Sequence, residues 1–169
     1  MEGNEDRTLI VGFGNLYRRD DGVARVIINT LLARWGRALL DDLDDGFEAL
    51  GHAVDGVVLH QLVPELAETV KDYAMVIFVD AHVGGNEIEP LHEERLDVSY
   101  HTPFVYHQTH PSTLLALAQQ MYGTAPEAWL LSVQGYDFDF GEGLSPETAA
   151  LVEPAVARIL ARVAARREA

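Results

Sequence analysis

The chain has 169 residues, of which 48% are hydrophobic and spread along its length, and it carries 27 acidic against 12 basic residues for a net charge of −15. These numbers predict one folded domain with a substantial core, and the charge excludes a broad phosphate-binding surface, so nucleic acid is not expected as a partner. Cysteine is absent, which removes disulfides, thiolate metal sites, iron–sulfur clusters and cysteine nucleophiles together.

In chain order, the opening MEGNEDRT is polar and acidic, unlike the basic-then-apolar layout of a signal peptide. No apolar run approaches the roughly 20 residues that span a bilayer. A cytoplasmic protein with no membrane association is therefore expected. The first element is Leu9-Ile10-Val11, an apolar run that reads as a buried strand. It breaks at Gly12-Phe13-Gly14-Asn15, where glycine lets the backbone turn tightly. Asp20 and Asp21 follow, at the start of a helix carried to Trp35 by Val23, Val26, Ile27, Leu31 and Leu32. Beyond an acidic connector (Asp41, Asp42, Asp44, Asp45), Val57-Val58-Leu59 predicts a second strand. A helix from Pro64 to about Tyr73 comes next, with proline in its first turn and Glu65 and Glu68 complementing its start.

The segment 74–81, AMVIFVDA, is almost continuously apolar, as a strand covered on both faces should be. Asp80 closes it, and an acid in that position costs burial energy unless it is paired, bonded or bound to a cation. Residues 88–98 predict an edge strand, because Pro90 cannot donate to a ladder. Three histidines, His101, His107 and His110, lead into a helix over 111–122. Trp129 to Val133 predicts another strand, and residues 135–143 a loop whose acids Asp137, Asp139 and Glu142 read as solvated. Ser145-Pro146-Glu147 is a helix start with a serine N-cap and proline at the first position. That helix runs toward Arg167, kinked or split at Pro154, and its basic end (Arg158, Arg162, Arg166, Arg167) suits the helix dipole. Alternating strands and helices predict an α/β fold, a three-layer α/β/α sandwich around a mostly parallel sheet of about five strands.

Dinucleotide binding is disfavoured. Gly12 and Gly14 occupy two positions of a G-x-G-x-x-G fingerprint, but Tyr17 stands at the third, and Asp20 and Asp21 would repel a pyrophosphate. A phosphate loop needs a lysine that this chain, with Lys71 alone, does not place. Two carboxylates and an imidazole near element ends form instead a nitrogen and oxygen ligand set suited to nickel, zinc or a similar borderline ion. Ser112, near the histidines, reads as a helix cap rather than a nucleophile.

Four segments together resemble the hydrogenase maturation proteases, endopeptidases that trim a C-terminal extension from the large subunit of nickel–iron hydrogenases. They are GFGNLYRRDDGVAR, VIFVDA, HQTHPSTLLALAQQMYG, and LLSVQG with GLSPETAALVEPAVARIL, and they span nearly the whole chain. The resemblance implies a metal site of Asp21, Asp80 and His107, with Asp21 as the second member of the acid pair. His107 is preferred because Leu114 and Leu115 follow it at the family's spacing, although His110 remains an alternative ligand. Ala24 stands where the family commonly has glycine. The resemblance further implies that nickel is chiefly carried by the substrate, the precursor of a hydrogenase large subunit. The free protein would then bind metal weakly, through three ligands that leave a position for substrate. A nickel-sensing assembly factor that holds the immature subunit without cutting it fits the same residues.

Overall fold

The computed structural model describes residues 6–85, 88–98 and 109–168. Five strands form one sheet in the order β2-β1-β3-β5-β4. They are β1 (Thr8–Phe13), β2 (Val54–Leu59), β3 (Met75–Val83), β4 (Leu91–Leu96) and β5 (Glu127–Gly135). The first three and β5 are parallel, while β4 runs antiparallel on the β5 edge. The four helices are α1 (Val23–Arg34), α2 (Leu66–Val70), α3 (Pro111–Tyr122) and α4 (Pro146–Glu168).

Strand periodicity sorts the core into two layers. Ile10, Ile77, Val79, Leu131 and Val133 face α1 and α4, and pack on Ile27, Ile28, Val156 and Ile159. Leu9, Val11, Val76 and Phe78 face the other way, onto Leu66 and Val70 of α2 and Leu114 and Leu115 of α3. β3 sits at the centre of the sheet with both faces covered, which is why its sequence alternates so little. The three-layer sandwich expected from the sequence is the observed one.

Boundaries moved where side chains outside the hydrophobic pattern set them. β2 begins three residues earlier than its apolar run, because Asp55 is buried by partners supplied from elsewhere. Arg7 Nη2 donates to its Oδ2 at 3.0 Å, Tyr73 Oη at 2.7 Å, and the backbone of Gly51 and His52 adds two more bonds. α2 is shorter than expected, since its flanks are wound with i→i−3 bonds, among them Ala67 N to Pro64 O and Tyr73 N to Val70 O. β4 is the edge strand that Pro90 indicated, and the Pro90 carbonyl accepts from Gln134 N.

α4 runs unbroken through the exposed Pro154. Its basic residues do more than complement the dipole. Arg162 pairs with Glu93 and lies 3.5 Å over the Trp129 ring, and Arg166 donates to Glu127 at 3.0 Å. These arginines bind α4 to the β4–β5 edge through their long apolar stems as well as their charge.

Candidate active site at the carboxyl edge of the sheet

β1 ends at the turn that carries the acid pair. Gly14 has φ +148, and a Cβ there would lie 2.1 Å from the carbonyl oxygen of Asp21, so only glycine lets the turn close on itself. Gly12, two residues earlier, lets α1 approach, with its added Cβ 3.0 Å from that of Ala24. The alanine found where the family has glycine is therefore accommodated by the strand. The chain then makes a short 3-10 turn, Arg19–Gly22, before α1 begins at Val23. Arg19 stands at φ +42, a strained backbone held in place by bonds to the loop after β5, Arg19 N to Gly141 O and Asp20 N to Asp137 O.

Within this turn the two acids part company. Asp20 is fully buried and accepts four bonds: Tyr136 N, Asp137 N, Ser145 N and Ser145 Oγ, all at 2.7–2.8 Å. Burial pushes its pKa upward, but the bonds from Ser145 and the backbone of Tyr136 outweigh it and bring the value to about 2. Asp20 is thus a clamp that ties the first turn to the start of α4, where Ser145 also caps Thr148 N. Asp21 remains half-buried at the rim, its Oδ2 accepting Asn15 N at 2.7 Å.

The 3-10 turn packs against β3, which ends in Asp80. The register places Asp80 opposite Ser132 on β5, and Ser132 opposite His92 on β4. Asp80 is half-buried, with its Oδ1 closed off and without a hydrogen-bond partner. Burial drives its pKa up to about 7; the Ser132 hydroxyl opposes this, and the charges of Asp21 and Glu94 add to it. Two like charges and one orphaned oxygen are unfavourable on their own and become favourable around a cation. The donor chemistry, carboxylate with imidazole nearby, suits nickel or another borderline ion. Among the described residues no group of three His, Asp or Glu side chains is placed to hold an ion unaided.

Of the histidines singled out in the sequence, His101 and His107 lie outside the described residues. His110 is the N-cap of α3, its Nδ1 accepting Ser112 N at 3.1 Å. The cap expected of Ser112 is thus supplied by a histidine, and Ser112 itself is buried. His82, which the sequence reading did not single out, shares the face of Asp80, two residues further along β3. Its Nδ1 lies 2.7 Å from Ser132 Oγ. Burial lowers its pKa and the charge of His92 lowers it further, while a hydrogen bond to the backbone of Glu89 raises it. The signal available in the sequence was the D-x-H spacing at the end of a strand, which places both side chains on one face.

No protein-family model matches the chain, and no curated protein matches it in sequence. Solved structures do match. The hydrogenase maturating endopeptidase HybD from E. coli is 23% identical, with a TM-score of 0.63 over 93% of this chain and 91% of that one. An endopeptidase from Escherichia coli solved in solution is 24% identical, with a TM-score of 0.64 over 92% and 90%. The hydrogenase 2 maturation peptidase from Thaumarchaeota archaeon SCGC_AB-539-E09 is 22% identical, with a TM-score of 0.60 over 93% and 97%. TM-scores of 0.60 to 0.64 over nearly the whole of both chains establish that this chain has the fold of these maturation endopeptidases.

Proposed function

We propose that the chain is an endopeptidase that removes a C-terminal extension from the precursor of a nickel–iron hydrogenase large subunit after nickel insertion. The nickel arrives on the substrate, and Asp21, Asp80 and His107 receive it. The observation that most supports this reading is the orphaned Asp80 Oδ1 beside Asp21, at the edge where open α/β sheets bind ligands, on a fold shared with hydrogenase maturation endopeptidases.

The chain's own residues prepare the site before substrate comes. Asp20 holds the turn through four bonds, and Asn15 N–H orients one oxygen of Asp21. Asp80 is held near a pKa of 7 by burial, so its carboxylate gains most from an arriving cation. An immature subunit without nickel offers no such cation, so the same carboxylates would have nothing to hold. The metal, once bound, can polarise a nearby carbonyl or activate water. Cytoplasmic processing is part of this proposal. Among the described residues, no helix is long and apolar enough to cross a membrane.

The test is incubation of the purified chain with nickel-loaded and nickel-free precursor, followed by mass spectrometry. Loss of the C-terminal mass from the loaded precursor alone is the expected result. Stable association with the loaded precursor at unchanged mass would replace the endopeptidase with an assembly factor.

A further inference from the structure

The loop after β5 alternates aromatic and acidic side chains, Tyr136, Asp137, Phe138, Asp139 and Phe140. Phe138 folds back onto the strand end, where a Cβ added at Gly135 would lie 2.3 Å from its ring. Phe140 does the opposite and is 86% exposed, with Tyr136 at 48% and Tyr17, from the turn after β1, at 49%. A slack backbone does not account for this exposure. Gly141 N donates to the Tyr17 carbonyl at 2.8 Å, Arg19 N to the Gly141 carbonyl at 3.0 Å, and Arg18 Nε to the Phe138 carbonyl at 3.1 Å. Arg18 and Gly141 form a parallel bridge, so one position earlier on each segment Tyr17 and Phe140 stand side by side on one face. Large rings held out of the core by a fixed backbone mark an interaction surface.

Position and charge narrow the occupant. Tyr17 stands four residues before Asp21, a length of chain that spans at most about 14 Å. An extended peptide with its reacting bond beside Asp21 covers that distance in about as many residues. Asp139 and Glu142 flank Phe140 and are exposed, on a chain of net charge −15, so a basic segment is attracted and an acidic one repelled. The body of a large subunit is already held through its nickel, whereas an extension has no such handle. We propose that Tyr17 and Phe140 form a docking surface for the precursor's C-terminal extension. The extension lies there as an extended segment, with an apolar side chain against the two rings and a basic one beside Asp139 and Glu142. This rests on the reading of the chain as an endopeptidase and adds a binding surface outside the metal-receiving residues.

The test uses the full chain with two probes, nickel-loaded precursor and a fluorescein-labelled synthetic peptide of its extension. Wild type is compared with Tyr17→Ala, Phe140→Ala and the double variant Asp139→Lys, Glu142→Lys. Tyr122→Ala is the control, an exposed aromatic at the far end of α3 with Lys71 over its ring. Peptide affinity, read by fluorescence anisotropy, should fall about tenfold in each ring variant and in the charge variant, and stay at wild type in the control. With precursor, KM should rise by a similar factor at unchanged kcat, as when binding is lost equally from ground and transition states. A peptide whose Lys and Arg are changed to Glu should bind wild type more weakly and the charge variant more tightly. The substituted side chains are exposed, so melting temperatures should stay near wild type; Phe140→Gln serves where the alanine variant fails to fold.

Wild-type affinity in both ring variants, or no peptide binding by wild type, overturns the docking surface. So does a precursor lacking the extension that still loses affinity in Phe140→Ala, since the large-subunit body would then occupy the rings. A wild-type dimer that Phe140→Ala dissociates would give the surface to a second copy and also overturn it. If wild type cuts loaded precursor and every variant cuts with wild-type KM, the surface falls and the endopeptidase stands. If the peptide binds through the rings while loaded precursor is left uncut, the surface stands and the endopeptidase falls.

Discussion

Asp20 and Asp21 are neighbours with the same chemistry and opposite surroundings, and their substitutions should separate cleanly. Asp20→Ala leaves two backbone N–H groups, a third from Ser145 and the Ser145 hydroxyl without their acceptor. A loss of about 3–5 kcal/mol is expected, measured by urea unfolding, as for other buried charged contacts that lose one partner. Its folded-state pKa, about 2, lies below the ordinary 3.8. Its contribution is therefore complete above pH 3.8 and disappears as the pH falls toward 2. Asp80 has the reverse sign. With a folded pKa of about 7 above the ordinary 3.8, the unfolded chain releases this proton first, so the carboxyl costs stability that accumulates from pH 3.8 to about 7. Asp80→Asn should thus raise the melting temperature at pH 8 relative to wild type and have little effect near pH 4. A melting temperature at pH 8 that drops instead would mean that the charged carboxylate is already satisfied in the free protein.

At the scale of elements, the turn after β1 and the helix α4 give two further expectations. Gly14→Ala places a methyl 2.1 Å from the Asp21 carbonyl at a backbone angle that side chains rarely adopt, so the turn must open and carry Asp21 with it. Loss of nickel binding with retained far-ultraviolet circular dichroism is the predicted outcome. Pro154 is exposed and interrupts the hydrogen bonding of α4. Pro154→Ala should stabilise the chain by about 1–3 kcal/mol, the interior helix preference less what proline gains by restricting the unfolded chain. The elements themselves were legible because burial imposes period on sequence. β3 was readable from its unbroken apolar run, α3 from its leucines, and β4 from the proline that keeps it at the edge. The early start of β2 was not readable. Asp55 breaks the strand pattern, and its partners Arg7 and Tyr73 come from 48 residues before and 18 after. The 3-10 geometry of residues 19–22 was hidden for a similar reason, since contacts with residues 137 and 141 hold it.

For the whole molecule, the fold gathers at one sheet edge what the chain spreads over more than a hundred residues. The glycine turn and the end of β3 meet there because parallel strands share one carboxyl edge, and the register brings His92 of β4 beside them through Ser132. The acid pair and Asp80 stood out by position, at a strand-to-helix turn and a strand end, while the choice of Asp21 over Asp20 came from the resemblance. The division of labour between Asp20 and Asp21 was not legible, because it depends on Ser145 and Tyr136 far along the chain. His82 escaped notice because its partner Ser132 lies 50 residues away on another strand. His107 stands on the resemblance and lies outside the described residues, so the substitution experiment bears on it directly. The central measurement is the mass of nickel-loaded precursor after incubation with wild type, Asp21→Asn, Asp80→Asn and His107→Ala, each checked for an intact fold by its melting curve. Wild type should remove the C-terminal extension and all three variants should leave it in place; full cleavage by Asp21→Asn or Asp80→Asn would contradict recognition of the metal through these carboxylates.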